Sequence, residues 1–147
     1  MFKRIIVPTD GSDLSASAVN AAATLAKTLN ANLVAVHVMP MYSAVVYPEA
    51  AIYGAISQEE FIAETEEEAT KALAAATKDA QAIGVACETV RNRVNQPYLG
   101  ILDAAAQQNC DLIVMASHGR RGVKALVLGS QTHKVLTHSK IPVLVFR

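Results

Sequence analysis

Five short apolar runs punctuate the chain: RIIVP (4–8), NLVAVHVM (32–39), ACETVRNRV (86–94), DLIVMAS (111–117) and IPVLVF (141–146). The first, second, fourth and fifth are apolar almost throughout, the pattern of parallel strands covered on both faces. The third alternates through Glu88, Val90, Asn92 and Val94 and reads as a strand at a sheet edge.

The stretches between these runs carry helical spacing. Leu14, Ala18, Ala22, Leu25 and Leu29 recur at three- and four-residue steps and predict one helix face between the first two strands. Ser57 and Glu60 have capping-box spacing, and the acidic residues from Glu59 to Glu68 suit a positive N-terminal dipole. A long helix is predicted from there, with Ile62, Thr65, Ala69, Leu73, Ala76 and Ala80 as its buried stripe and Gly84 as its end. A third helix starts near Pro97 and carries Leu99, Leu102 and Ala106; a fourth starts near Ser130 and carries Val135 and Leu136.

The resulting βαβαβαβαβ order, with right-handed crossovers, predicts an α/β fold: a single doubly wound domain over residues 1–147, its parallel sheet covered by helices on both faces. One long irregular stretch stands out, PMYSAVVYPEAAIYGAI (40–56), with three of the four tyrosines. It reads as a lid or as a packing surface.

Composition narrows the function. Of 147 residues, 52% are hydrophobic, and 13 basic residues balance 13 acidic ones. No overall field favours nucleic acid or an anionic membrane. Cys87 and Cys110 are far apart, which suits two buried thiols in a cytoplasmic protein better than a disulfide or a metal site. No run has the length of a membrane span, and the apolar run in MFKRIIVPTDGS is too short for a signal peptide.

In open α/β sheets ligands bind beyond the carboxyl ends of the strands, where strand order reverses. Two loops at such ends are rich in chemistry: PTDGSD (8–13) and the segment 116–130. If strands one and four are neighbours, these loops face each other across one crevice. The second loop contains neither G-x-x-x-x-G-K-[ST] nor G-x-G-x-x-G. Gly119 and Gly129 nonetheless permit close backbone approach, and Gly129-Ser130 opens a helix whose amides and dipole attract anions. The Ser130 hydroxyl either caps that helix or donates to a phosphate oxygen. In the first loop, TDGSDLS is loosely similar to the S-G-G-x-D-S loop of ATP pyrophosphatases, but Asp10 stands where that loop has glycine. A carboxylate there would repel pyrophosphate and suits a ribose hydroxyl or a divalent cation; it also suits a helix cap.

Taken together, VPTDGS, VHV, SHGRRG, LGS and the closing PVLV resemble the universal stress protein family over essentially the whole chain. The resemblance implies a five-stranded parallel sheet in the order 3-2-1-4-5, with strands one and four side by side. It also implies ATP (or ADP or AMP) binding through G-x2-G-x9-G-[ST], matched here by Ala116-x2-Gly119-x9-Gly129-Ser130 with alanine in place of the first glycine. Alanine adds a methyl group and resists positive φ, so the pocket survives if φ at 116 is negative. By the same resemblance Gly119, Gly129, Ser130 and Gln131 would meet phosphates and ribose, and Pro8, Thr9 and Asp10 would line the other wall. Val38 would hydrogen-bond adenine through its backbone, Met115 and Ala116 would lie along the nucleoside, and His118 would join the site from its loop. Arg120 and Arg121 would add charge near the phosphates or face solvent. Asp10 is the one candidate protein ligand for a magnesium ion carried by the nucleotide. A homodimer paired through strand 141–146 is implied as well.

Other residues invite chemistry less. Ser117 and His118 are adjacent with no elbow motif around them, so His118 reads as a hydrogen-bonding loop residue and not as a catalytic base. His133 and His138, five apart, point away from each other on a helix, and His37 reads as a satisfied core or pocket residue. With no base poised against a γ-phosphate, any ATP hydrolysis should be slow. The expectation is a cytoplasmic, homodimeric nucleotide-binding regulator or protectant. The rivals are an interaction module that has lost the nucleotide, with Ala116 as the cause, and a slow ATP or AMP hydrolase.

Overall fold

The computed structural model describes residues 1–43, 56–119 and 128–147. The chain runs β1 (Arg4–Pro8), α1 (Asp13–Leu29), β2 (Asn32–Met39), α2 (Gln58–Ile83), β3 (Cys87–Arg93), α3 (Pro97–Gln107), β4 (Leu112–Ala116), α4 (Ser130–His138) and β5 (Val143–Phe146). All strands pair in parallel in the order β3-β2-β1-β4-β5. The expected order is borne out, and the alternating third strand is an edge.

The apolar runs form strands because both faces of the sheet are covered. Ile5, Ile6 and Val7 of β1 have no exposed surface. The α1 and α2 layer covers Ile5, Val7, Leu33, Ala35, Leu112 and Val114. The α3 and α4 layer covers Ile6, Val34, Val36 and Ile113 on the opposite face. Winding therefore reverses between β1 and β4, which makes their carboxyl ends the topological switch point.

Helix ends follow the sequence signals. At α2 the Ser57 hydroxyl accepts from the Glu60 N–H at 3.1 Å while the Glu60 carboxylate accepts from the Ser57 N–H at 2.9 Å. Gly84 closes the helix at φ 86°, a conformation glycine adopts without strain. Three helix faces differ from the periodicity. In α3 the buried residues are Gly100, Ile101, Ala104 and Ala105, while Leu99 and Leu102 are half-buried and Ala106 is exposed. The run of three alanines carries no periodic signal of its own, and Gly100 marks the true contact line, pressed against Val38 and Val94. In α2, Ile62 is exposed. A helix of 26 residues is about 39 Å long, whereas the seven residues of β3 span about 23 Å. Its first turns overrun the sheet. Leu136 in α4 is exposed too, one position round the helix from the fully buried Val135.

The segment 40–56 falls mostly outside the described residues. At its start Tyr42 packs edge-on against Phe61 of α2, with ring centroids 5.6 Å apart. Among the described residues no helix is long and apolar enough to cross a membrane.

Candidate functional site

The turn after β1 is tightly wired. Thr9 N–H donates to Val36 C=O at 2.9 Å and extends the sheet by one bond. The buried Thr9 hydroxyl lies 3.1 Å from the Ser15 hydroxyl and accepts from Gly11 N–H at 3.2 Å. Thr9 C=O accepts from His37 Nδ1 at 2.9 Å, which fixes the ring proton on that nitrogen; His37 is the satisfied buried residue its strand pattern suggests. Asp10 Oδ1 accepts from both the N–H and the hydroxyl of Ser12, at 3.0 and 2.6 Å. Ser12, not Asp10, caps α1, accepting from Ser15 N–H. Asp10 supports the cap from two residues further out.

The loop after β4 leaves and returns at one point. Ser117 N–H donates to Phe146 C=O at 2.8 Å, and Gly129 N–H donates to Ser117 C=O at 2.8 Å. The buried Thr132 hydroxyl donates to Ala116 C=O at 3.0 Å, stitching the first turn of α4 onto the end of β4. Gly129 is the N-cap and Ser130 the first helical residue, with no side-chain cap bond. Ser130 therefore does not cap the helix. Its hydroxyl is exposed beside amides that lack intrahelical acceptors.

The two turns meet. A Cβ on Gly119 would collide with the Asp10 carboxylate, and a Cβ on Gly129 would stand 2.9 Å from Ser117 C=O and 3.1 Å from His118 Cα. Both motif glycines thus occupy places where only backbone fits. A third wall comes from β2. Val36 faces β1 with its backbone, so by strand alternation Val38 does as well. Yet β1 has ended at Pro8, opposite Val36. The N–H and C=O of Val38 are thereby directed into the space past β1, side by side.

Other predicted positions sort differently. Met115 packs in the core under α3 and α4, and Ala116 in the core under α1. Ala116 is a regular strand residue paired with Phe146 and has no positive φ. Its methyl is part of the buried core on the α1 face of the sheet. Gln131 is turned to α3: its Oε1 accepts from Tyr98 N–H at 3.1 Å, serving a helix start that lacks a side-chain cap of its own. His118 Nδ1 lies 3.1 Å from the Ser117 hydroxyl, a hydrogen-bonding loop histidine. Arg120 and Arg121 lie outside the described residues. Thr132 was not anticipated; its only signal is a hydroxyl three residues after a helix-capping glycine. Among the described residues no three His, Cys, Asp or Glu side chains converge as a metal cage.

A sheet with this switch point, closed by two turns that meet at glycine, agrees with the comparisons. The sequence model of the Universal stress protein family matches residues 1–147. The chain belongs to that family. Universal stress protein YxiE of Bacillus subtilis is 37% identical, with both chains covered in full. Universal stress protein UspA from Lactobacillus plantarum superposes with a TM-score of 0.80 at 25% identity, covering 99% of this chain and 97% of that one. A universal stress protein solved in complex with cAMP superposes with a TM-score of 0.73 at 25% identity, covering 99% of this chain and 97% of that one. The family relationship extends over the whole crevice, from the turn after β1 to the first turn of α4.

Proposed function

We propose that residues 1–147 act as one universal stress protein domain that binds an adenine nucleotide, ATP with magnesium, between the turns after β1 and β4. The observation that carries this reading is the meeting of Asp10 and Gly119 at the switch point, next to the Gly129 cap of α4. The amides of Ser130, Gln131 and Thr132 suit phosphate oxygens through the helix N-terminus. The Asp10 carboxylate suits a ribose hydroxyl, and the paired N–H and C=O of Val38 suit the N1 and N6 edge of adenine. Pro8 and Thr9 form the floor between them. Magnesium would be held by the phosphates, with Asp10 as the nearest protein carboxylate. A solved relative that holds cAMP favours an adenylate ligand.

The negative φ at Ala116 and the inward methyl count against the rival reading in which alanine has abolished binding. Occupancy would change the loop surfaces shown to partners, so the protein works as a nucleotide-dependent regulator or protectant and not as an enzyme. Two free cysteines fit the cytoplasm, and the unpaired edge of β5 fits a homodimer.

Calorimetry with ATP and Mg²⁺ tests the nucleotide, with Gly129→Val as the control that loses binding. Denaturing the purified protein and resolving the supernatant by anion exchange identifies what it carries. No heat at about millimolar ATP, a weak-binding limit, and no released nucleotide would leave the interaction module as the better account.

A further inference from the structure

We propose that Arg93 is a positioning residue that holds the base-recognition wall of the crevice, the part of β2 that runs on past β1; this rests on the nucleotide reading above. β1 stops opposite Val36, while β2 continues to Met39. From His37 onward β2 has a strand neighbour on one side only, β3, through His37↔Arg91, Val38↔Asn92 and Met39↔Arg93. A segment paired along one edge opens more readily than one paired along two.

Arg93 offsets that weakness. Its side chain is only 26% exposed, and its guanidinium donates to four groups. Two belong to the overhang: Pro40 C=O at 2.9 Å and Met39 Sδ at 3.5 Å. Two belong to α2: Thr65 Oγ1 and Glu66 Oε1, each at 3.0 Å. The fork bolts the end of β2 to the helix that packs beside it. Thr65 can accept because its own proton goes back to Phe61 C=O at 2.9 Å. Beyond Pro40, Asn95 Oδ1 accepts from Met41 N–H at 3.0 Å and steadies the next residue. An arginine placed on an edge strand for solubility would spread into water. This one is spent on fixing a wall whose Val38 backbone faces the ligand. A lysine offers a single point of charge and cannot span the strand end and the helix together.

The readout is base discrimination. Adenine presents a donor at N6 and an acceptor at N1, matching the C=O and N–H of Val38, whereas guanine presents the reverse. Titration of ATP and GTP, each with Mg²⁺, into wild type, Arg93→Met and Arg93→Lys measures the ratio of affinities. Wild type should prefer ATP. Arg93→Met should lose about tenfold of that preference, the upper end of what one neutral hydrogen bond is worth, and Arg93→Lys should restore part of it. Loss of a cation near phosphates, or a general loosening, would weaken both nucleotides equally and leave the ratio unchanged. Amide exchange at Val38, Met39 and Met41 in nucleotide-free protein should speed up in Arg93→Met. An unchanged ratio, unchanged exchange, or a wild type without base preference overturns the role of Arg93. A wild type that binds neither nucleotide overturns the nucleotide reading itself.

Discussion

The Asp10 carboxylate fills the space in which a side chain on Gly119 would begin. Asp10 cannot swing away at no cost, because its Oδ1 holds the N–H and hydroxyl of Ser12 at the start of α1. Gly119→Ala should therefore destabilise the fold by about 1–2 kcal/mol, within the range for overpacking, and weaken ATP binding. In an Asp10→Ala background the same change should be close to neutral. Urea denaturation of the four proteins gives the coupling energy directly. An additive cycle would mean that the two turns do not touch.

Gly129 is limited by backbone, which cannot rotate out of the way. Ser117 C=O and His118 Cα stand where its Cβ would go, so Gly129→Ala must shift either the root of the loop or the start of α4. A cost of about 1–3 kcal/mol is expected. Ser130→Ala should change stability by less than about 0.5 kcal/mol, since the hydroxyl makes no cap bond. It should still reduce ATP affinity, because the hydroxyl lies among the amides assigned to phosphate. Equal destabilisation by the two variants would show that Ser130, not Gly129, caps the helix.

These contrasts show what was legible in the chain. Continuous apolar runs and alternation identify strands because coverage of both faces, or of one, dictates residue type position by position. β1 and β2 match their expected bounds residue for residue, and the edge position of β3 was written in its polar positions. The α3 contact line was not legible, because Gly100 reveals its packing only against Val38 and Val94, which come from other elements. The cap of α1 was not legible for a related reason: Asp10, Ser12 and Asp13 are all good capping types, and only the folded turn shows that Ser12 meets the helix. At the site, the turns themselves could be found from glycine spacing. The turning away of Gln131 and the bracing by Arg93 depend on neighbours distant in sequence.

Burial pushes the Cys110 thiol up to about 11, against the opposing pull of the nearby Arg4 guanidinium. The folded pKa is raised above the unfolded value, so the contribution to stability is complete below the ordinary thiol value of 9.0 and is lost as pH rises towards about 11. Wild type should thus lose stability over that window faster than Cys110→Ala, measured by urea midpoint at each pH; the variant removes the shared titration of lysines and tyrosines from the comparison. At about pH 8 only about one Cys110 in a thousand is thiolate, so iodoacetamide should label it in urea and not in the native protein. Rapid native labelling would place Cys110 in an open site.

The two edges of the sheet are not equivalent. At β3, Arg91 and Arg93 are bound to Glu66 alongside α2, and charge at an edge discourages strand addition. β5 reads Val-Leu-Val-Phe, with Leu144 46% exposed. Pro142 and Phe146 both direct their C=O groups to β4, so by alternation Val143 and Val145 direct theirs outward. Val145→Pro would then remove one outward N–H and no bond within the chain, since proline is tolerated on an edge strand where its nitrogen faces away from the ladder. If a second copy pairs here, light scattering should show wild type at twice 15.6 kDa and the variant at 15.6 kDa, with the same circular dichroism. A wild type that is monomeric at about micromolar concentration, where a standard interface would hold, removes the dimer. A variant that stays dimeric with its fold intact moves the interface away from the β5 backbone.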